Sequence, residues 1–287
     1  MALCSDLEAS IRKHAKERSY PDGRTYSSLS MSRGAEIAKA QATTIRAVEL
    51  AALAQDILPE RYARNQRSLT CAQQIGLLRS RVAIVGQGGL GGTVTEILAR
   101  LGVGELVLVD GDVFEESNLN RQLLATTQTM HKSKSAAARR RVTAINPAVT
   151  AIAHREFLTA DNAESLLTGA QVVVDCLDNL PARFTAARAA RKLKIPMISA
   201  AVAGMAGHVT VFFPQDGGLE GIYGDPEQLP AKGAETALGT LPFAVSAIAC
   251  IECAEVTKIL LKQPHTLRNR MLVMDLADNT LDVLELA

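Results

Sequence analysis

Residues 81–91 read Arg81-Val82-Ala83-Ile84-Val85-Gly86-Gln87-Gly88-Gly89-Leu90-Gly91, and this stretch decides the fold class. Residues 82–85 form a short apolar run, the pattern of a strand buried on both faces. Gly86, Gly88, Gly89 and Gly91 follow at once, and a helical pattern begins over 93–101. Glycines allow a tight strand-to-helix turn and a close backbone approach to a phosphate, which the helix N-terminus attracts with free N–H groups. Residues 106–109 make a second apolar run ending at Asp110, 19 residues after Gly91. A carboxylate at that place suits ribose hydroxyls. Taken alone, the loop fits a nicotinamide enzyme as well as any other nucleotide binder. A P-loop kinase is excluded, because no Gly-x-x-x-x-Gly-Lys-[Ser/Thr] run occurs.

The residues after Asp110 narrow the choice. The loop 111–122 carries Asp112, Asn118, Arg121 and Gln122, and Lys134 opens the next helical pattern, 133–145. Loops at the C-terminal ends of parallel strands line the ligand crevice. Asn118, Arg121 and Lys134 are therefore expected at the phosphate end of a nucleotide. A triphosphate concentrates charge at one end and needs cationic donors and a metal, whereas the pyrophosphate of a dinucleotide does not. Asp178 lies just beyond the strand pattern 172–175, where a carboxylate holds Mg²⁺ against phosphates. Asp175 is read as capping the following turn.

Outward from this core, strands are expected at 149–153, 172–175 and 196–199, with helices at 161–167 and 181–193. Strands alternating with helices predict an α/β fold: a Rossmann-like mixed, mainly parallel sheet with flanking helices. A long apolar helix over 241–261 and a hairpin across 272–284 predict a C-terminal antiparallel extension. Residues 217–239 are rich in Gly, Pro and charge and read as a flexible crossover loop. The N-terminal residues read as a short helix and a loop, then one amphipathic helix over 34–57 ended by Pro59. The domain division expected is 1–58, a helical extension, and 59–287, the nucleotide-binding unit.

The chain has 287 residues, 47% of them hydrophobic, and a formal charge of +1. That charge offers no field for nucleic acid or an anionic membrane, and 3% aromatics with no Trp leave no base-stacking surface. Five cysteines, an odd number in a chain of this size, argue against a secreted disulfide scaffold. No apolar signal segment or membrane span is read, so the expected compartment is the cytoplasm.

Together these motifs resemble the ubiquitin-activating-enzyme superfamily, in its ThiF, MoeB and HesA adenylyltransferase branch. The resemblance rests on Arg61-Tyr62-Ala63-Arg64, the 81–91 stretch, Ser117-Asn118-Leu119-Asn120-Arg121-Gln122, Lys132-Ser133-Lys134, Ile145-Asn146-Pro147 and Asp175-Cys176-Leu177-Asp178-Asn179. It implies ATP over the glycine loop, its ribose on Asp110 and its phosphates on Asn118, Arg121 and Lys134, with transient Mg²⁺ on Asp178. It also implies a homodimer in which Arg64 reaches the neighbouring subunit's phosphates. The implied partner is a ubiquitin-like sulfur-carrier protein of the ThiS or MoaD type, whose C-terminal Gly-Gly carboxylate is adenylated as pyrophosphate leaves. The pathway would be thiamine, molybdopterin, tungstopterin or related sulfur-transfer metabolism.

The sequence departs from the family twice. Cys-x-x-Cys pairs of the family's structural zinc are missing near 220–225 and near the C-terminal hairpin. Cys250 and Cys253 fall inside the apolar helix pattern, so no structural zinc is expected. No cysteine lies between 205 and 249, which puts a thioester or persulfide step in question. Two other readings compete: a tRNA threonylcarbamoyladenosine dehydratase-like activation of a carboxylate, and a non-catalytic scaffold. The near-neutral charge weighs against the first, and the intact set of Arg64, Arg121, Lys134 and Asp178 against the second.

Overall fold

The computed structural model describes residues 2–65, 67–225, 228 and 235–286. Its centre is an eight-stranded mixed sheet. The strands are β4 (Arg81–Val85), β5 (Glu105–Val109), β6 (Thr150–His154), β7 (Val172–Asp175), β8 (Met197–Ala203), β9 (Ala206–Phe212), β10 (Arg270–Asp275) and β11 (Thr280–Glu285). They run in the order β11-β10-β9-β8-β7-β4-β5-β6. Strands β4 to β8 pair in parallel, and β9, β10 and β11 add an antiparallel extension. This is the expected α/β class. The chain leaves β4 towards β5 and β6, then returns to β7 on the other side. The switch point therefore lies between β4 and β7, where such sheets bind ligands.

Alternation along the strands builds two cores. Val82 and Ile84 face one cluster, with Leu106, Leu108, Val172 and Val174. Ala83 and Val85 face the other, with Val107, Val109 and Val173. Helices α5 (Gly89–Leu101), α6 (Lys134–Ile145) and α11 (Pro242–Leu260) supply Val94, Leu98, Ala138, Val142, Ile248 and Val256 to the first. Helices α7 (Ala163–Leu167) and α8 (Leu180–Lys192) cover the second. A short α4 (Cys71–Leu78) leads into β4. The expected crossover loop holds two single-turn helices, α9 (Glu220–Tyr223) and α10 (Glu235–Leu238), while 226–227 and 229–234 lie outside the described residues. Among the described residues no helix is long and apolar enough to cross a membrane.

The N-terminal part differs from expectation. Helix α1 (Ala2–His14) is followed by a hairpin of β1 (Lys16–Ser19) and β2 (Thr25–Leu29), turning through Gly23 at φ +84°, where a plain loop was expected. The single helix expected over 34–57 is two, α2 (Met31–Ala40) and α3 (Ile45–Leu53). Helical apolar spacing continues across the break, so periodicity does not reveal it. Ala42 sits at φ +48°, and the Thr44 hydroxyl accepts from Ala47 N at 3.1 Å, capping α3 instead of extending α2. Residues Ile57–Pro59 form β3, parallel to β2. Ile11, Leu29, Ile37, Val48, Ala52 and Ile57 make a small core of their own.

This three-stranded unit meets the large sheet at its lower end. Leu53 and Leu58 pack with Tyr62, Leu78 and Ala148, and Arg46 donates to Gly104 O at 2.6 Å. Gly104 precedes β5, Leu78 precedes β4 and Ala148 precedes β6, so the contact lies at the strands' N-terminal ends. The glycine loop 86–91 leaves β4 at the opposite end.

Candidate nucleotide site

Two glycines make the loop possible. Gly86 has φ +90°, and a Cβ there would stand 2.5 Å from Cys176 O. A Cβ on Gly91 would fall 1.8 Å from Gly86 O, so any side chain would open the turn. Gly88 is the N-cap of α5, and a Cβ on Gly89 would meet Val245 of α11 at 2.9 Å. Gly92 N bonds Gly88 O at 3.0 Å as the first turn of α5, and the N–H groups before it are the helix-start donors that suit an anion.

Asp110 is tied to this loop. Its carboxylate accepts from Gln87 N at 2.6 Å and from Asp112 N at 2.8 Å. Burial pushes its carboxyl above the usual range, against those two bonds and the charge of Lys134. Each oxygen keeps a lone pair for a sugar hydroxyl. Lys134, the first residue of α6, is 8% exposed, and its Nζ donates to Asp112 Oδ2 at 3.1 Å. Asn118 is buried and its Oδ1 accepts from Glu115 N at 3.0 Å, which shapes the loop. Arg121 folds back on that loop, donating to Ser117 O at 3.1 Å and Asn120 Oδ1 at 2.8 Å. Gln122 is buried beside Gly88, and its Oε1 has no partner.

Asp178 is exposed above a rigid base. Asp175 accepts from Leu177 N at 3.1 Å, the turn cap expected for it. It also receives the Ser199 hydroxyl at 2.7 Å and pairs with Arg183 at 3.4 Å. Arg183 Nη2 reaches Leu177 O at 2.6 Å, and Asn179 caps α8 through Ala182 N at 3.0 Å. Both neighbours of Asp178 are thus held, while its carboxylate accepts one bond, from Asn179 Nδ2 at 3.3 Å, and is otherwise exposed to solvent. One exposed carboxylate fits Mg²⁺, which keeps several waters and takes its remaining oxygens from phosphates.

The loop, Asp110, Lys134, Asn118, Arg121, Gln122 and Asp178 therefore gather at the C-terminal ends of the parallel strands, around the β4–β7 switch. Arg64 does not join them. It follows Tyr62, whose ring abuts Gly102 at the far end of α5. Thirteen residues of α5 separate that point from the loop, about 20 Å at 1.5 Å per residue.

Sequence reasoning missed three residues. Arg183 and Glu252 are buried beneath the site, and nothing in their spacing marks them. Glu252 lies among apolar helix positions; burial, then the charge of Asp175, pushes its carboxyl well above its usual range. Phe157 is 65% exposed, and its ring covers Gly111, next to Asp110. Its ring thus lies one residue along the chain from the carboxylate expected to meet a ribose.

Cys176 is buried against Glu252, and Cys253 lies against Val94 O. Burial first, then Glu252, pushes both thiols well up. Cys250 faces outward on α11. Iodoacetamide at pH 8 is expected to modify Cys250 in the native protein while Cys176 and Cys253 react only on unfolding. Peptide mapping that finds native Cys176 labelled as fast as Cys250 would contradict the burial.

A glycine loop tied to a carboxylate at a sheet switch point, with Lys134 and Arg121 on the adjoining segments, is the arrangement of a nucleotide-binding protein of the α/β class. A family model described as "ThiF family" matches residues 62–287. The SAMP-activating enzyme E1 of Haloferax volcanii is 34% identical over 209 residues, 72% of this chain and 76% of that protein. The sulfur carrier protein ThiS adenylyltransferase of Escherichia coli is 34% identical over 186 residues, 64% and 73% of the two chains. The crystal structure of PaaA superposes with a TM-score of 0.65 at 26% identity, covering 79% of this chain and 82% of that one. The chain belongs to the ThiF family and is an adenylyltransferase of the ThiF and MoeB type.

Proposed function

We propose that the site adenylates the C-terminal Gly-Gly carboxylate of a small ubiquitin-like sulfur-carrier protein of the ThiS or MoaD type. The observation that carries this reading is the gathering of Arg121, Lys134 and Asp178 around a glycine loop tied to Asp110. ATP lies with its ribose on Asp110 and its phosphates over Gly86–Gly91. A carrier carboxylate oxygen attacks the α-phosphorus. The bond to the β-phosphate bridging oxygen breaks, and pyrophosphate leaves with that electron pair. A carboxylate is already a nucleophile, so no base is needed. Mg²⁺ on Asp178, when bound, supplies positive charge to the phosphates. Lys134 and Arg121 exchange their present partners, Asp112 and the 117–120 loop, for phosphate oxygens. Asn118 and Gln122 shape and line the floor. The Arg64 guanidinium completes the site of a second protomer in a homodimer; the length of α5 between Arg64 and its own loop supports this.

Residues 1–58 are taken as an accessory unit, and the protein is taken to carry no structural zinc. Thiamine, molybdopterin, tungstopterin or related sulfur-transfer metabolism fits such an activity.

Carrier-dependent exchange of labelled pyrophosphate into ATP tests the reading. Exchange is expected with a carrier ending in Gly-Gly and none with the same carrier lacking its last glycine. Absence of exchange with every Gly-Gly carrier tried would remove the proposal.

A further inference from the structure

Arg64 projects from a stretch of chain in which its neighbours are tied down. Pro59 pairs with Leu29 in the parallel ladder of β2 and β3. Tyr62 is fully buried, and Ala63 nearly so. A Cβ on Gly102 would stand 2.7 Å from the Tyr62 hydroxyl, so that ring occupies the only room there. The hydroxyl accepts from Asn146 Nδ2 at 2.8 Å, and the same amide donates to Ala99 O at 2.9 Å. Asn65 donates to Gln74 Oε1 at 3.2 Å, and Gln74 donates to Leu101 O at 2.8 Å. Between Arg61 and Asn65 only Arg64 is exposed, and it has no hydrogen-bond or ion-pair partner among the described residues.

The last tie comes from the N-terminal unit. Glu49 on α3 is 3% exposed and pairs with Arg61 at 3.2 Å. Arg61 also hydrogen-bonds the Asn146 side chain. Arg46, on the same helix, holds Gly104 O. The stretch that carries Arg64 is thus anchored on both sides, through Arg61 and Tyr62 before it and Asn65 after it.

We infer that Glu49 is a positioning residue for Arg64: through Arg61 and Asn146 it fixes the backbone from which Arg64 projects towards the neighbouring protomer's phosphates. The inference rests on the reading of Arg64 as acting across the dimer. It gives residues 1–58 a role in the reaction although they sit at the far end of the sheet from their own nucleotide loop. An arginine already held in direction loses less freedom on docking and is in place when charge develops.

Glu49→Ala leaves a buried guanidinium without its carboxylate and loosens the joint. The homodimeric variant is expected to lose about tenfold in kcat for exchange with the carrier KM unchanged. Heterodimers, co-expressed with two different affinity tags and purified through both, locate the defect. Pairing Arg64→Ala with Asp178→Ala leaves one complete site per dimer. That site is expected to recover about half of the wild-type rate. No recovery overturns the trans reading itself, whatever Glu49 does. Pairing Glu49→Ala with Asp178→Ala is expected to recover activity equally, because the competent site sits on the Glu49 variant and receives Arg64 from an intact chain. Recovery with Arg64→Ala but not with Glu49→Ala overturns the positioning role, as does a fully active Glu49→Ala homodimer. Glu49→Gln, which keeps the side chain's shape, takes its place in the same pairing if the alanine variant does not fold.

Discussion

Arg121→Ala and Asp178→Ala are each expected to lower pyrophosphate exchange by about 10²–10³-fold, the usual loss when one charge-stabilising group leaves a preorganised site. Neither change is expected to unfold the protein. Asp178 is exposed, and among the described residues its one side-chain hydrogen bond is from Asn179 at 3.3 Å. Among the described residues the Arg121 side chain hydrogen-bonds only Ser117 O and Asn120 Oδ1, so its loss frees loop bonds. Thermal midpoints within a degree or two of the wild type, consistent with surface substitutions of about 0.5 kcal/mol or less, separate chemistry from folding. Arg121→Lys keeps the charge but not the planar fork, and an intermediate rate is expected of it. Near-wild-type exchange in either alanine variant would remove that residue from the site.

The second large effect concerns pH and the joint under Arg64. Burial raises the Glu49 carboxyl from 4.5 to about 7, against the opposing charge of Arg61. Between those values the folded protein holds a proton that the unfolded chain has released. The contribution of protonated Glu49 is therefore complete below about 4.5 and is lost as pH rises through about 7. At 1.36 kcal/mol per unit this amounts to roughly 3 kcal/mol at most. Glu49→Gln has no such proton. Urea unfolding of both proteins at pH 4.5 and pH 8 is expected to show the variant gaining on the wild type by about 2–3 kcal/mol across that interval. Taking the difference cancels other buried carboxyls such as Glu252. Parallel stability curves would show that Glu49 does not titrate in this range.

Much of the large sheet was legible because its signals are local. Residues 82–85, 106–109 and 172–174 are continuous apolar runs, which reads as burial on both faces wherever the strand sits. Gly86 and Gly91 were readable because few residues tolerate a left-handed turn or a 1.8 Å approach to a carbonyl. Lys134 and Asp178 were placed by their positions after strands. The N-terminal unit was less legible: apolar spacing ran unbroken through Ala42, where a capping threonine and a left-handed turn end one helix and begin another. Glu252 was invisible among apolar neighbours, because its burial depends on Cys176, 76 residues away.

The sequence by itself determined the parallel strands of the large sheet, the glycine loop and the family, since each rests on residues close in the chain and on backbone constraints no context removes. Only the tertiary structure decided what lies beneath and behind the site. It set Arg183 under the Asp178 turn, packed residues 1–58 against the lower end of the sheet, and joined Glu49, Arg61 and Asn146 in one buried network. Arg61 and Asn146 are 85 residues apart, and no local pattern records that they meet. Polar side chains are buried where partners from distant segments satisfy them, and those partners are chosen by packing. The reach of α5, and with it the separation of Arg64 from its own nucleotide loop, is likewise a property of the folded chain alone.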